Sequence, residues 1–253
     1  MTPLIVGGSA YAARRWGPAL GGWLIALPLT SGPVAFYLAL EQGPSFASHA
    51  ALGSLAGAIA QCAYAVAYAS VAARGWPAGA LAASAAFIAV AFVGQAVQVE
   101  SVVVLLPIVL LAVALTLRRL PEGRSAPMTA SPPRWDLAAR MLVGTAIVLA
   151  VTAVAPHLGP TISGLSVAFP VFITILVVFT HRQLGARAAV SVLRGLVTGI
   201  VGYAAFFAVL VTALDPARLD FGIVGAFLAA LAASGVVQWF SLRALRATPV
   251  AMD

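Results

Sequence analysis

The residues with most chemical promise stand in one run, Leu27-Pro28-Leu29-Thr30-Ser31-Gly32-Pro33. Pro28 and Pro33 each lack an amide donor and crowd the carbonyl four residues upstream, Leu24 and Leu29. Two hydroxyls and a glycine lie between them. Ser-Gly-Pro is also a helix-start signature, because proline is tolerated at the first helical position. The run predicts a broken helix, one half over 18–28 and a second beginning near Ser31. The second half would turn its positive N-terminal dipole and free amides into the break, as an anion or polar-group site. Thr30, Ser31 and Gly32 would bind, and Pro28 and Pro33 would shape the break. The competing reading is a plain proline kink whose freed carbonyl is met by Thr30 or Ser31.

A second run, Phe169-Pro170-Val171-Phe172-Ile173-Thr174, is a weaker version with one proline and one hydroxyl. Pro170 would make a second break and Thr174 would stand opposite the first, giving an asymmetric site. Gln61 is a further polar candidate, while Gln95, Gln98 and Gln238 read as helix bridges. Arg194 shares a helical stripe with Ser191, Gly195, Thr198 and Gly202, a small and polar face that packs on protein. An arginine a turn or two inside an apolar span needs a partner or a function. It reads either as a charge partner for an anionic substrate entering from the cytoplasm or as a side chain snorkelling to headgroups.

The rest of the chemical inventory excludes more than it offers. His49, His157 and His181 fall at segment ends without metal-ligand spacing, and Cys62 is the only cysteine. No metal or cofactor is expected. Glu41, Glu100, Asp215 and Asp220 also fall at segment ends, so no embedded acidic relay is evident. There is no phosphate-binding loop, dinucleotide fingerprint, zinc-helix motif or nucleophile elbow, and enzymatic activity is not expected.

The elements that would position these residues are hydrophobic spans. The 253-residue chain is 62% hydrophobic and 8% charged, where a soluble domain carries roughly 25% charged residues. Nine apolar segments fall at about 2–14, 17–41, 46–73, 77–97, 100–117, 135–156, 159–181, 186–213 and 220–242. The first is short for a span. Residues 118–134, rich in proline and arginine, read as a linker between a first unit, 1–117, and a second, 135–253. A cleaved signal peptide is not expected, since Arg14-Arg15 follow the first apolar stretch.

The two units carry the same punctuation. Residues 17–57 align without gaps on 159–199, with nine identities of which seven are Gly or Pro. Gly17-Pro18, Gly22, Pro28, Gly43, Gly53 and Gly57 recur as Gly159-Pro160, Gly164, Pro170, Gly185, Gly195 and Gly199. The glycines read as close-packing faces, either plain packing or a surface crossing the broken helices.

All fourteen basic residues are arginine, and the net charge is +7. Putting 118–134 in the cytoplasm brings every arginine but Arg218 to or near that side, so the positive-inside rule accounts for the charge without nucleic acid. The N-terminus is then outside and the C-terminus cytoplasmic, in a bacterial-type inner (plasma) membrane. Segment 17–41 runs outward and 159–181 inward, an inverted repeat.

On the duplicated Gly-Pro…Gly…Pro segments, the chain resembles inverted-repeat secondary transporters as an architectural class. The resemblance implies an all-α polytopic membrane protein of about nine spans with discontinuous helices. It further implies alternating access around a midplane site where the repeats meet. The expected function is secondary transport of a small polar or anionic solute. The competing functions are a non-transporting membrane subunit or assembly factor, and a lipid-carrier flippase. Expected partners are membrane lipids, the small-molecule solute and a second copy covering exposed faces.

Overall fold

The computed structural model describes residues 2–29, 31–97, 99–121, 136–154, 169–215 and 222–247. Among them every regular element is helical. The first four helices are α1 (Thr2–Trp16), α2 (Pro18–Ile25), α3 (Ser31–Glu41) and α4 (Pro44–Val71), the last prolonged by a 3-10 turn at Ala72–Arg74. They are followed by α5 (Trp76–Val97), α6 (Val102–Arg119), α7 (Asp136–Val154), α8 (Val171–Ala213) and α9 (Gly222–Ala247).

Five stretches are long and apolar enough to cross a membrane: Pro44–Arg74, Trp76–Val97, Val102–Arg119, Val171–Ala213 and Gly222–Arg243. Leu81, Phe92, Val93, Val103 and Leu111 stand exposed on α5 and α6, an apolar surface suited to lipid rather than water. α1 is 15 residues long, about 22 Å of helix, shorter than a typical core is thick. Of the expected linker, Arg118 and Arg119 belong to α6, whose apolar run carries them past the predicted boundary. Residues 122–135 and 159–168 lie outside the described residues.

Helix boundaries follow glycine. Gly43 (φ 90°, ψ 165°) precedes Pro44, which fits the first helical position. Gly185 (φ 83°, ψ 179°) divides α8 into 171–184 and 186–213. Both conformations lie in a region essentially confined to glycine, so one residue redirects the chain without a loop. Shifted by 142 residues, the bounds of α4 coincide with the second segment of α8.

That segment and α4 form the centre of the bundle. They run in opposite senses. Ser48, near the start of α4, donates to the Val211 carbonyl near the end of α8 at 3.4 Å. Tyr68, near the end of α4, meets Nδ1 of His181, just before the segment begins, at 2.9 Å. α5 packs on α4 and α9 packs on α8. Leu55, Tyr64, Phe87, Leu176, Leu193, Leu196 and Phe206 fill the interior.

α2 lies between α1 and α8, and adjacent glycines make room on its two faces. A Cβ on Gly21 would meet the Ser9 carbonyl and Ala13 of α1, and one on Gly22 would collide with the Val192 carbonyl of α8. From the other side, a Cβ on Gly195 would strike the Ala19 carbonyl, and one on Gly199 would meet Ala26 and the Trp23 carbonyl. The two backbones touch with no side chain between them, as small-residue crossings allow. A polar chain clamps the same junction. Trp23 Nε1 donates to Ser241 Oγ at 3.0 Å, and Ser241 donates to Gln238, whose Nε2 donates to the Gly199 carbonyl at 2.9 Å.

Candidate solute site at the broken helix

The break falls at residues 26–30, and missing amides explain its shape. Pro28 has no N–H to offer Leu24, whose carbonyl instead takes the Leu27 amide at 3.3 Å. Ala26 donates to Trp23 at 3.1 Å and Leu29 to Leu27 at 2.7 Å, tight turns in place of α-helix. Helix resumes at Ser31. Pro33 therefore sits in the first turn of α3, where its absent amide costs no helical bond. The first half ends at Ile25, three residues earlier than the sequence suggests, because the turns begin before Pro28 itself. The amides at the start of α3 are not all free: Gly32 donates to the Pro28 carbonyl at 3.0 Å.

Three hydroxyls gather beside the break. Ser31 on α3 and Ser54 on α4 both reach the Tyr203 hydroxyl on α8. Gly32 is buried next to them, and a Cβ there would lie 3.5 Å from Phe206 Cζ. Phe206 packs edge-on against Phe207 and Phe227, with centroids 5.0 and 6.2 Å away, and Phe36 closes on Phe227 at 4.9 Å. Gln61 lies two turns beyond Ser54 on the same stripe of α4 and is half-buried. The group is uncharged, and each hydroxyl can both donate and accept. It suits hydrogen bonding to a small polar group rather than acid–base or metal chemistry. Thr30 lies outside the described residues.

The second break is differently furnished. Pro170 (φ −78°, ψ 64°) precedes α8. Its carbonyl accepts the Thr174 amide at 3.1 Å and the Thr174 hydroxyl at 2.9 Å. Tyr64 donates its hydroxyl to Thr174 Oγ1 at 3.0 Å. Ser54 and Tyr64 are ten residues apart on α4, about 15 Å along its axis, so the two hydroxyl groups are separate stations. Thr174 does not complete the Ser31 site as the sequence suggests. It pairs across its own break.

Arg194 also departs from the expected role. Its guanidinium donates to the carbonyls of Leu117 and Leu120 at 3.0 and 2.9 Å, at the C-terminal end of α6. Helix ends leave carbonyls without amide partners, and a cation there meets both their hydrogen-bonding need and the negative end of the dipole. Arg140, buried on α7, donates to Gln183 at 3.1 Å and lies 5.0 Å from the Phe179 ring centroid. Arg182 covers Trp76 at 5.7 Å. These arginines serve as fasteners at one end of the bundle.

Tyr203, Ser54 and Tyr64 are the polar residues that the sequence reading passes over. The signal for Tyr203 was in the repeat: it occupies the position equivalent to Gln61, which the reading did select. Among the described residues no group of three metal-ligating side chains forms. No protein-family profile, curated protein or solved structure matches this chain.

Proposed function

We propose that this protein is a secondary transporter of a small polar solute, working by alternating access around the break between α2 and α3. The observation that carries the proposal is a helix interrupted inside an apolar bundle, with hydroxyls from three helices beside the interruption. Irregular backbone is tolerated at membrane depth where it is buried in protein or lines a polar cavity. Ser31, Ser54 and Tyr203 bind the solute, with Thr30 and Gln61 as further hydrogen-bonding partners. Pro28 and Pro170 keep the two breaks.

The repeat supports the same reading. Equivalent glycines, Gly43 and Gly185, take the same unusual conformation, and the helices that follow them run in opposite senses. Such inverted halves exchange roles as a site opens to one side and then the other. The arginine-rich end of the bundle faces the cytoplasm of a plasma membrane, with the N-terminus outside.

Single-cysteine labelling in intact cells, on a Cys62→Ser background, tests the proposal. Glu41→Cys should react with an impermeant thiol reagent from outside, and Gln183→Cys only after the membrane is opened. Ser31→Cys should react through water. Glu41 and Gln183 on one face would defeat the inverted arrangement. An inert Ser31→Cys in both intact and opened cells would defeat the solvated site and favour a non-transporting membrane subunit.

A further inference from the structure

The contact of α2 with α8 is made by three glycines, Gly22, Gly195 and Gly199. Each has a glycine partner 142 residues away: Gly164, Gly53 and Gly57. Gly53 and Gly57 lie on α4 and, among the described residues, nothing comes within 4 Å of a Cβ built at either. They line a cavity of about 360 Å³ between α4 and α5, with His49, Phe87, Gly94 and Gln95 around it. A helix in lipid gains nothing from exposed glycine, since bare backbone forfeits packing that a side chain would supply.

We propose that this groove is the seat of the chain's own segment 159–168, which crosses α4 at Gly53 and Gly57 as α2 crosses α8 at Gly195 and Gly199. Three observations converge on that occupant. The glycines of the known crossing are matched at one constant offset, with none missing. The segment rejoins the described chain at Phe169, whose ring packs edge-on against Phe87, a wall of the groove, at 5.8 Å. The groove is apolar along its length, as is the sequence Thr161-Ile162-Ser163-Gly164-Leu165-Ser166-Val167 apart from small hydroxyls. By the offset, Gly53 meets Thr161, Gly57 meets Leu165 and Ala168, and Gly164 meets Ala50. The inference rests on the repeat within the proposed function and not on transport itself.

Two measurements test it on the full-length protein. The first uses the sign of a stability change. Alanine at an open helical position stabilises relative to glycine, whereas alanine inside a backbone crossing overpacks it. Gly53→Ala and Gly57→Ala should therefore lower Tm in detergent, by roughly 5 °C or more, or abolish folding, as Gly195→Ala does. Gly94→Ala, on the facing wall, should leave Tm unchanged or raise it. Unchanged or raised Tm for both α4 variants would overturn the proposal.

The second is oxidative crosslinking of Gly53→Cys with Thr161→Cys on the Cys62→Ser background, with a protease site inserted in 122–134. The expected result is two fragments held together until reduced, with no such bond for Leu81→Cys paired with Thr161→Cys. Crosslinking only between chains would make a second copy the occupant, and no crosslink in folded protein would leave the groove to lipid or solute. Either result overturns the inference. The outward and inward labelling of Glu41→Cys and Gln183→Cys would still stand, so failure here is distinguishable from failure of the repeat.

Discussion

The two proline breaks use one backbone device and spend their side chains differently. At the first, position 32 is glycine facing Phe206; at the equivalent position of the second, Thr174 faces Tyr64. Positions 64 and 206 are themselves equivalent in the repeat. Thr174 returns a hydroxyl to the carbonyl that introduces α8 and takes one from Tyr64, so the second break repairs itself. The first satisfies its turn through backbone bonds and leaves Ser31, Ser54 and Tyr203 to one another. Hydroxyls that serve only each other exchange cheaply for a solute, while a hydroxyl holding the backbone does not. One break supports the fold, and the other is free to bind.

Substitutions can break or sharpen this contrast. The largest effect is expected at the crossing that anchors the first break. Gly195→Ala drives a methyl into the Ala19 carbonyl and should cost about 3 kcal/mol or prevent folding, read as loss of a monodisperse peak or a fall in Tm. Next comes Arg194→Ala, which strips two carbonyls of a charged donor and should cost about 2 kcal/mol. A destabilised Arg194→Ala protein with intact solute binding fits the capping role; lost binding at unchanged Tm would return the arginine to the site.

Thr174→Val tests the contrast directly. It should lose about 1 kcal/mol, and a double-mutant cycle with Tyr64→Phe should show coupling of similar size. Ser31→Ala should barely move Tm and should weaken transport instead. The reverse pattern, a structural Ser31 and a silent Thr174, would exchange the roles of the two breaks. Gly32→Ala is the smallest change. Its methyl finds ordinary contact distance to Phe206, so stability should stay within about 0.5 kcal/mol.

What the sequence disclosed was punctuation. Gly17-Pro18, Gly43-Pro44 and Pro28 mark helix starts and stops through local backbone rules, and the observed bounds of α2 to α6 follow them within a few residues. Partners were not disclosed, because they are set by tertiary contact. Arg194 finds its carbonyls more than seventy residues away, and Tyr203 meets hydroxyls on two other helices. The polar stripe around Arg194 correctly pointed to protein contact. It could not distinguish a substrate from the end of α6, since both present oxygen atoms to a cation.

A junction of bare backbones, such as that between α2 and α8, has no rotamers through which to yield. Elsewhere in a bundle, side chains can slide, swap wells and absorb a displaced helix by degrees. Here the first small separation forfeits most of the contact at once, so the pair should stay whole under heating and then part abruptly.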